Sequence, residues 1–189
     1  MKTLEQIEQY AKDNFVPIAR KDFVKFLIDK IKENNYHEVL EIGSAIGYTT
    51  IQLASLDNVY VTTIEHDENR YKMCLDNISD FNLNDKVQAI FDDALKIFLS
   101  QKYDVIFIDA AKAKNIQFFD KFKVNLKDNG IIIIDNMRLE DMKKHVNPKK
   151  AAFYDQKIQE LKDYLNSLKE YVVDYLDVGD GIAYIKKRV

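Results

Sequence analysis

Two groups of residues have the types and spacing to do chemistry. The first is Asp109-Ala110-Ala111-Lys112, which sets an amine three positions after a carboxylate, with Asp135-Asn136 following 26 residues after Asp109. Each group follows directly on an apolar run, Val105 to Ile108 and Ile131 to Ile134. If those runs are adjacent strands, Asp109, Asp135 and Asn136 meet as three hard oxygen donors. That set suits Mg²⁺, with Mn²⁺ or Ca²⁺ possible, and not zinc, which favours His and Cys. An amine held beside a dication gives up its proton more readily, so Lys112 is the candidate general base. Alone, Asp-x-x-Lys reads as a surface ion pair; the Asp-Asn pair one strand over turns the reading toward metal plus base.

The second group is Glu41-Ile42-Gly43-Ser44-Ala45-Ile46-Gly47-Tyr48-Thr49, after the run Val39-Leu40. Gly43 and Gly47 permit a tight turn and close approach of a ligand to the backbone. Ala45 stands where the dinucleotide fingerprint G-x-G-x-x-G needs its central glycine, and the Gly-Lys-Ser/Thr end of a P-loop is missing. A carboxylate at 41 disfavours a pyrophosphate but suits a ligand carrying an ammonium and a sulfonium, and S-adenosylmethionine is such a ligand. Glu65, closing the run Val59 to Ile64, is placed to accept from two ribose hydroxyls. Acids follow all five apolar runs: Glu41, Glu65, Asp92-Asp93, Asp109 and Asp135. In a parallel sheet these positions share the carboxyl edge, where open α/β folds bind ligands; the plainer alternative is a set of ordinary helix caps.

The elements that must position these groups follow from periodicity. Leu4, Ile7 and Ala11 share one helix face, and Phe23, Leu27 and Ile31 share another. Runs apolar on both faces, Val87 to Phe91 among them, then alternate with helical patterns such as Tyr71, Cys74, Leu75 and Ile78. A long amphipathic helix carries Tyr154, Ile158, Leu161, Leu165 and Leu168. It precedes two β-runs, Tyr171 to Val178 and Ile182 to Ile185, around the turn Gly179-Asp180-Gly181. The expected fold is α/β: a Rossmann-like, doubly wound sheet, mostly parallel, with a C-terminal antiparallel hairpin. The expected organisation is one domain over 1–189, with N-terminal helices over 1–33 and the core over 38–189.

Composition narrows the classes. The chain has 189 residues, 47% of them hydrophobic, which argues against disorder, and a net charge of −3, which argues against gripping nucleic acid by bulk charge. The one cysteine, Cys74, excludes an internal disulfide framework and reads as a buried core thiol. His37 reads as a surface residue, Asn77-Ile78-Ser79 as a chance match to the glycosylation pattern, and most Tyr and Phe as core; Tyr48, opening a helix beside the glycine turn, is the exception. With no signal peptide and no apolar run longer than four isoleucines, a cytoplasmic protein without membrane contact is expected.

With these motifs the sequence resembles the metal-dependent, S-adenosylmethionine-dependent O-methyltransferases of the catechol and caffeoyl-CoA type. The resemblance runs from Val16-Pro17 through Val39 to Gly43 and on to Val178-Gly179-Asp180-Gly181-Ile182-Ala183. It implies Glu41, Gly43, Ser44 and Thr49 at the methionine end of the cofactor, Glu65 on the ribose, His66 beside the adenine, and Asp93 and Ala94 on the adenine's other side. It also implies Asp109, Asp135 and Asn136 as metal ligands, Asp109 also beside the cofactor, Lys112 as the catalytic lysine, and a homodimer formed by the N-terminal helices. Within the family the chain is most similar to bacterial enzymes that methylate 5-hydroxyuridine at the tRNA wobble position. A basic stretch, Lys143 to Lys150, with Arg20-Lys21 and Lys186-Lys187-Arg188, would then hold phosphates of an anticodon loop. Met137-Arg138-Leu139-Glu140 lacks the aromatic and glycine common there in enzymes acting on small phenols. The alternatives are an O-methyltransferase for a catechol-like phenol, an NAD-dependent dehydrogenase, or a catalytically silent RNA-binding relative.

Overall fold

Helix α1 (Leu4–Asp13) opens with a reciprocal capping box between Thr3 and Gln6, and buries Ile7 and Ala11. Helix α2 (Lys21–Glu33) buries Phe23, Val24, Leu27 and Ile31. In this computed structural model residues 2–138 and 146–188 are described. Beyond the helix pair the chain alternates: β1 (Glu38–Ile42), α3 (Tyr48–Ala54), β2 (Tyr60–Glu65), α4 (Glu68–Asp80), β3 (Val87–Phe91), β4 (Tyr103–Ile108), α5 (Asn115–Phe122) and β5 (Leu126–Asp135). Helix α6 (Pro148–Ser167), with Asn147 as its cap, then leads to β6 (Tyr171–Leu176) and β7 (Ile182–Lys187). Among the described residues no helix is long and apolar enough to cross a membrane.

The strands form one sheet in the order β3-β2-β1-β4-β5-β7-β6. The first five run parallel, and β7 is antiparallel to both of its neighbours. This is the expected Rossmann-like sheet with a closing hairpin. Alternate side chains feed two cores. Val39, Val61, Val105, Phe107, Ile131 and Ile133 pack beneath α1 to α4, while Leu40, Ile42, Ile106, Ile108, Ile132 and Ile134 pack beneath α5 and α6. That is why the central runs are apolar on both faces. The edge strand β3 departs from this: it is only partly buried, and Phe91 is 48% exposed. Leu75, expected on the buried face of α4, lies at its rim, and Leu168 falls one residue past the end of α6 as its cap.

The register sets the site. Ile42 pairs with Ile108 across β1 and β4, and Ile108 with Ile134 across β4 and β5. The residues just beyond these pairs, Gly43, Asp109 and Asp135, therefore reach the carboxyl edge side by side at the point where strand order reverses.

Candidate active site

The turn between β1 and α3 is wound tightly. Gly43, Ala45 and Gly47 all have positive φ, at 98°, 46° and 83°. A Cβ on Gly43 would lie 2.4 Å from the Asp109 carbonyl oxygen, so glycine is what lets this turn press against the end of β4. Ala45, at the position where a dinucleotide fold needs glycine, carries a side chain in the left-handed region, a strain on the order of 1 kcal/mol. Its N–H is thereby aimed at Glu65, donating to Oε2 at 2.9 Å. The N–H groups of His66 and Asp67 donate to Glu65 Oε1 at 2.8 and 2.9 Å. Three backbone donors thus lock a buried carboxylate, whose remaining lone pairs can accept from a ligand.

Gly43, Ala45, Glu65 and His66 line a cavity of about 370 Å³ together with Asp109, Lys112, Asp135 and Asn136. Pro17, Ile18 and Ala19, in the link between α1 and α2, form an apolar wall, and Arg70 and Asp180 complete the lining. A smaller adjoining cavity of about 80 Å³ is bounded by His66, Asp93, Ala94 and Phe118. Burial pushes the Asp109 carboxyl up, partly opposed by Lys112 and reinforced by Glu41 and Asp180. Burial also raises Asp135, and the neighbouring Asp109 charge raises it further. Asn136 sits at φ 63°, and its N–H donates to Asp135 Oδ1 at 2.6 Å. A buried carboxylate, Asp135, within the field of a half-buried one, Asp109, with the Asn136 amide beside them, makes a concentration of oxygen donors that a hard dication would neutralise. Among the described residues no three His, Cys, Asp or Glu side chains gather to hold a metal. The donor set is two carboxylates plus an amide, which fits a cation that keeps several waters.

The other expected positions fall differently. Glu41 is inside β1, one residue short of its carboxyl end, and strand alternation sets its side chain on the opposite sheet face from Leu40 and Ile42. Its carboxylate accepts from the hydroxyls of Thr50 and, at 2.7 Å, Thr63, and burial pushes it up to about 7. It is buried and is not among the residues that line the cavity. Ser44 and Thr49 are buried in the same layer, outside the lining. Cys74 is the expected core thiol: a Cβ on Gly47 would come within 2.9 Å of its Sγ, so the two residues pack together.

One group of the basic residues is displaced altogether. Because β7 runs antiparallel, Ile182 pairs with Asp135 while Lys186 pairs with Ile131, four residues back along β5 from the carboxyl edge. Lys187 there bonds Asp128 at 3.0 Å, and Arg188 bonds the Lys169 carbonyl at 3.0 Å. Lys186-Lys187-Arg188 therefore faces away from the site. Arg20 is near it but pairs with Asp180 at 3.3 Å, and Lys21 pairs with Glu8 at 2.7 Å. Lys143, Lys144 and His145 lie outside the described residues, while Lys149 and Lys150 are exposed in the first turn of α6.

Sequence reasoning missed three features of the wall. The Pro17–Ala19 stretch entered only through Val16-Pro17, where the resemblance begins, with no role in a wall. Asp180 was read as a turn residue, although Gly-Asp-Gly beside the last strand of an α/β sheet is also a place to aim a carboxylate at the carboxyl edge. Arg70 gave no signal beyond its place in a helix.

Comparison with known proteins agrees with this geometry. The family model described as O-methyltransferase matches residues 2–188. Tapetum-specific methyltransferase 1 of Arabidopsis thaliana is 25% identical over 185 residues, spanning 92% of this chain and 78% of that protein. Caffeoyl-CoA O-methyltransferase of Stellaria longipes is 22% identical over 177 residues, spanning 87% of this chain and 72% of that protein. A crystal structure of a candidate caffeoyl-CoA O-methyltransferase from Staphylococcus aureus is 31% identical and superposes with a TM-score of 0.90, covering 100% of this chain and 93% of that one. Since the match extends from the first helix through the closing hairpin, taking in the glycine turn and every residue that lines the cavity, the chain belongs to the O-methyltransferase family.

Proposed function

We propose that this protein transfers the methyl group of S-adenosylmethionine to the 5-hydroxyl of 5-hydroxyuridine at the wobble position of tRNA, giving 5-methoxyuridine. The observation that carries the reading is that one cavity is lined by Gly43, Ala45 and Glu65 and by Asp109, Lys112, Asp135 and Asn136. Glu65 supplies acceptors for the ribose hydroxyls, and the smaller cavity beside Asp93 and Ala94 offers an apolar slot for the adenine. The Bacillus cereus O-methyltransferase of similar fold was crystallised with S-adenosylhomocysteine, the product such a donor leaves.

Asp109, Asp135 and Asn136 would hold a Mg²⁺ ion, which supplies Lewis-acid polarisation of two neighbouring acceptor oxygens. The 5-hydroxyl and 4-carbonyl of hydroxyuridine are such a pair. Lys112 accepts the hydroxyl proton; the acceptor oxygen forms the new bond to the methyl carbon as the carbon–sulfur bond breaks, and the sulfonium becomes a neutral thioether. The apolar wall of Pro17, Ile18 and Ala19 keeps water from the reacting pair. Holding oxygen and methyl at attack distance is worth up to about 7–11 kcal/mol.

The test is nucleoside mass spectrometry of hydroxyuridine-containing tRNA incubated with protein, S-adenosylmethionine and Mg²⁺, with and without chelator. Appearance of 5-methoxyuridine that chelator abolishes supports the reading. Methylation of catechol with none of tRNA replaces it with the second reading, a small-phenol acceptor, which the apolar wall and the caffeoyl-CoA relatives favour.

A further inference from the structure

We infer that Phe15 is a stacking platform for the nucleobase next to the one being methylated. The inference rests on the tRNA reading above and names how that substrate is held at the mouth of the cavity.

Three helices in this chain end in the same way, with one residue in the left-handed region and the next N–H reaching back to a carbonyl five residues earlier. After α2 the left-handed residue is Asn35, at φ 52°, with Tyr36 donating to Ile31; after α4 it is Asn82, at φ 57°, with Leu83 donating to Ile78. After α1 it is Phe15, at φ 54°, with Val16 donating to Ala11 at 2.9 Å. Asn tolerates this conformation and a bulky aromatic does not, so the first cap departs from the pattern the other two set. The strain is not offset by packing, because Phe15 is 92% exposed. Exposure alone would be ordinary, and Phe98 is 90% exposed, but of the two only Phe15 joins it to a backbone held in the left-handed region, an outlier that points to function.

Its position indicates the partner. Phe15 stands two residues before Pro17, where the apolar wall of the cavity begins. A base entering edge-on to reach Lys112 must leave the stack, which bares a face of its neighbour in the strand. Proteins that take single-stranded RNA cover such faces with aromatic rings. Phe15 is exposed within two residues of that wall, so its ring is free to take the bared face.

The test compares two acceptors, an anticodon stem-loop carrying 5-hydroxyuridine and the free 5-hydroxyuridine nucleoside, using wild type, Phe15→Asn and Phe15→Trp. Stacking of one base predicts that Phe15→Asn lowers the ratio of kcat/KM for stem-loop over nucleoside about 5- to 100-fold, mainly through KM. Phe15→Trp should restore it. Because Asn is the better cap residue, the same Phe15→Asn variant should melt no lower than wild type. An unchanged ratio in Phe15→Asn overturns the inference and leaves the tRNA reading standing. A wild-type enzyme with no preference for the stem-loop removes the reading itself. A change of oligomeric state in Phe15→Asn, seen by sedimentation, assigns the ring to a second copy of the chain and overturns the inference as well.

Discussion

Lys112 and Glu41 are both ionisable residues at the carboxyl edge, yet they answer to different measurements. Lys112 lines the cavity within the field of Asp109. As the proton acceptor for the attacking hydroxyl, its change to Met should lower kcat by 10²- to 10⁴-fold, while calorimetry shows S-adenosylmethionine bound nearly as well as by wild type. Equal loss of binding and turnover would make Lys112 a cofactor ligand instead. Glu41 bears on stability. Its carboxyl is raised from an ordinary 4.5 to about 7 by burial, against the pull of the Thr50 and Thr63 hydroxyls. Between those two values the folded protein holds a proton that the unfolded chain has released, so Glu41 makes stability fall as pH rises from about 4.5 to 7, then level off. Glu41→Gln should remove that slope, with a gain of up to about 3 kcal/mol at pH 8 and almost none at pH 4.5. Asp109 and Asp135 are raised as well, so the informative quantity is the difference between variant and wild-type melting curves. Parallel curves at every pH would show that Glu41 is ionised when folded.

At the level of elements, period was readable and direction was not. Val105 to Ile108 and Ile131 to Ile134 announced buried parallel strands because apolar residues on both faces have few other uses, and the register duly set Asp109 beside Asp135. The partners of Glu41 were not readable, because its place near the end of β1 says nothing of the Thr50 and Thr63 hydroxyls, which come from α3 and β2. Lys186-Lys187-Arg188 was misread because a basic run does not state which way its strand travels, and the hairpin carries it to the far edge. The helix pair posed a third problem. Its amphipathic faces were plain, but not what it touches. Tyr48, the first residue of α3, donates to Glu8 of α1 at 2.7 Å, and Lys21 of α2 meets the same carboxylate. The glycine turn is thus tied to the elements that carry the Pro17–Ala19 wall. Tyr48→Phe removes a hydrogen bond to a charged group, worth about 1.5–3 kcal/mol. For a chain of this length that corresponds to a melting point lowered by roughly 3–12 °C. Differential scanning calorimetry reads it directly, and an unaltered midpoint would show that the tie adds nothing.

Across the whole molecule the net charge of −3 hides a separation that only the topology reveals. Helix α6 begins after the chain leaves β5 at the carboxyl edge and ends shortly before β6 begins at the opposite edge, where Tyr171 pairs with Lys187. Its 20 residues span about 30 Å. Lys149 and Lys150 therefore stand at the catalytic end of the molecule, and Lys186 and Lys187 at the other. Composition cannot tell these pairs apart, and a protein that held tRNA by diffuse charge would lose equally from either. If the substrate is held at the cavity mouth, Lys149→Ala with Lys150→Ala should raise KM for tRNA severalfold and flatten its dependence on salt by about one to two phosphate contacts. Lys186→Ala with Lys187→Ala should change neither, and should cost at most about 1 kcal/mol through loss of the exposed pair between Lys187 and Asp128. Titrating KM against NaCl for the two double variants separates the cases: equal slopes would mean that the RNA does not lie along the carboxyl edge, even if Lys112 and the paired aspartates are essential.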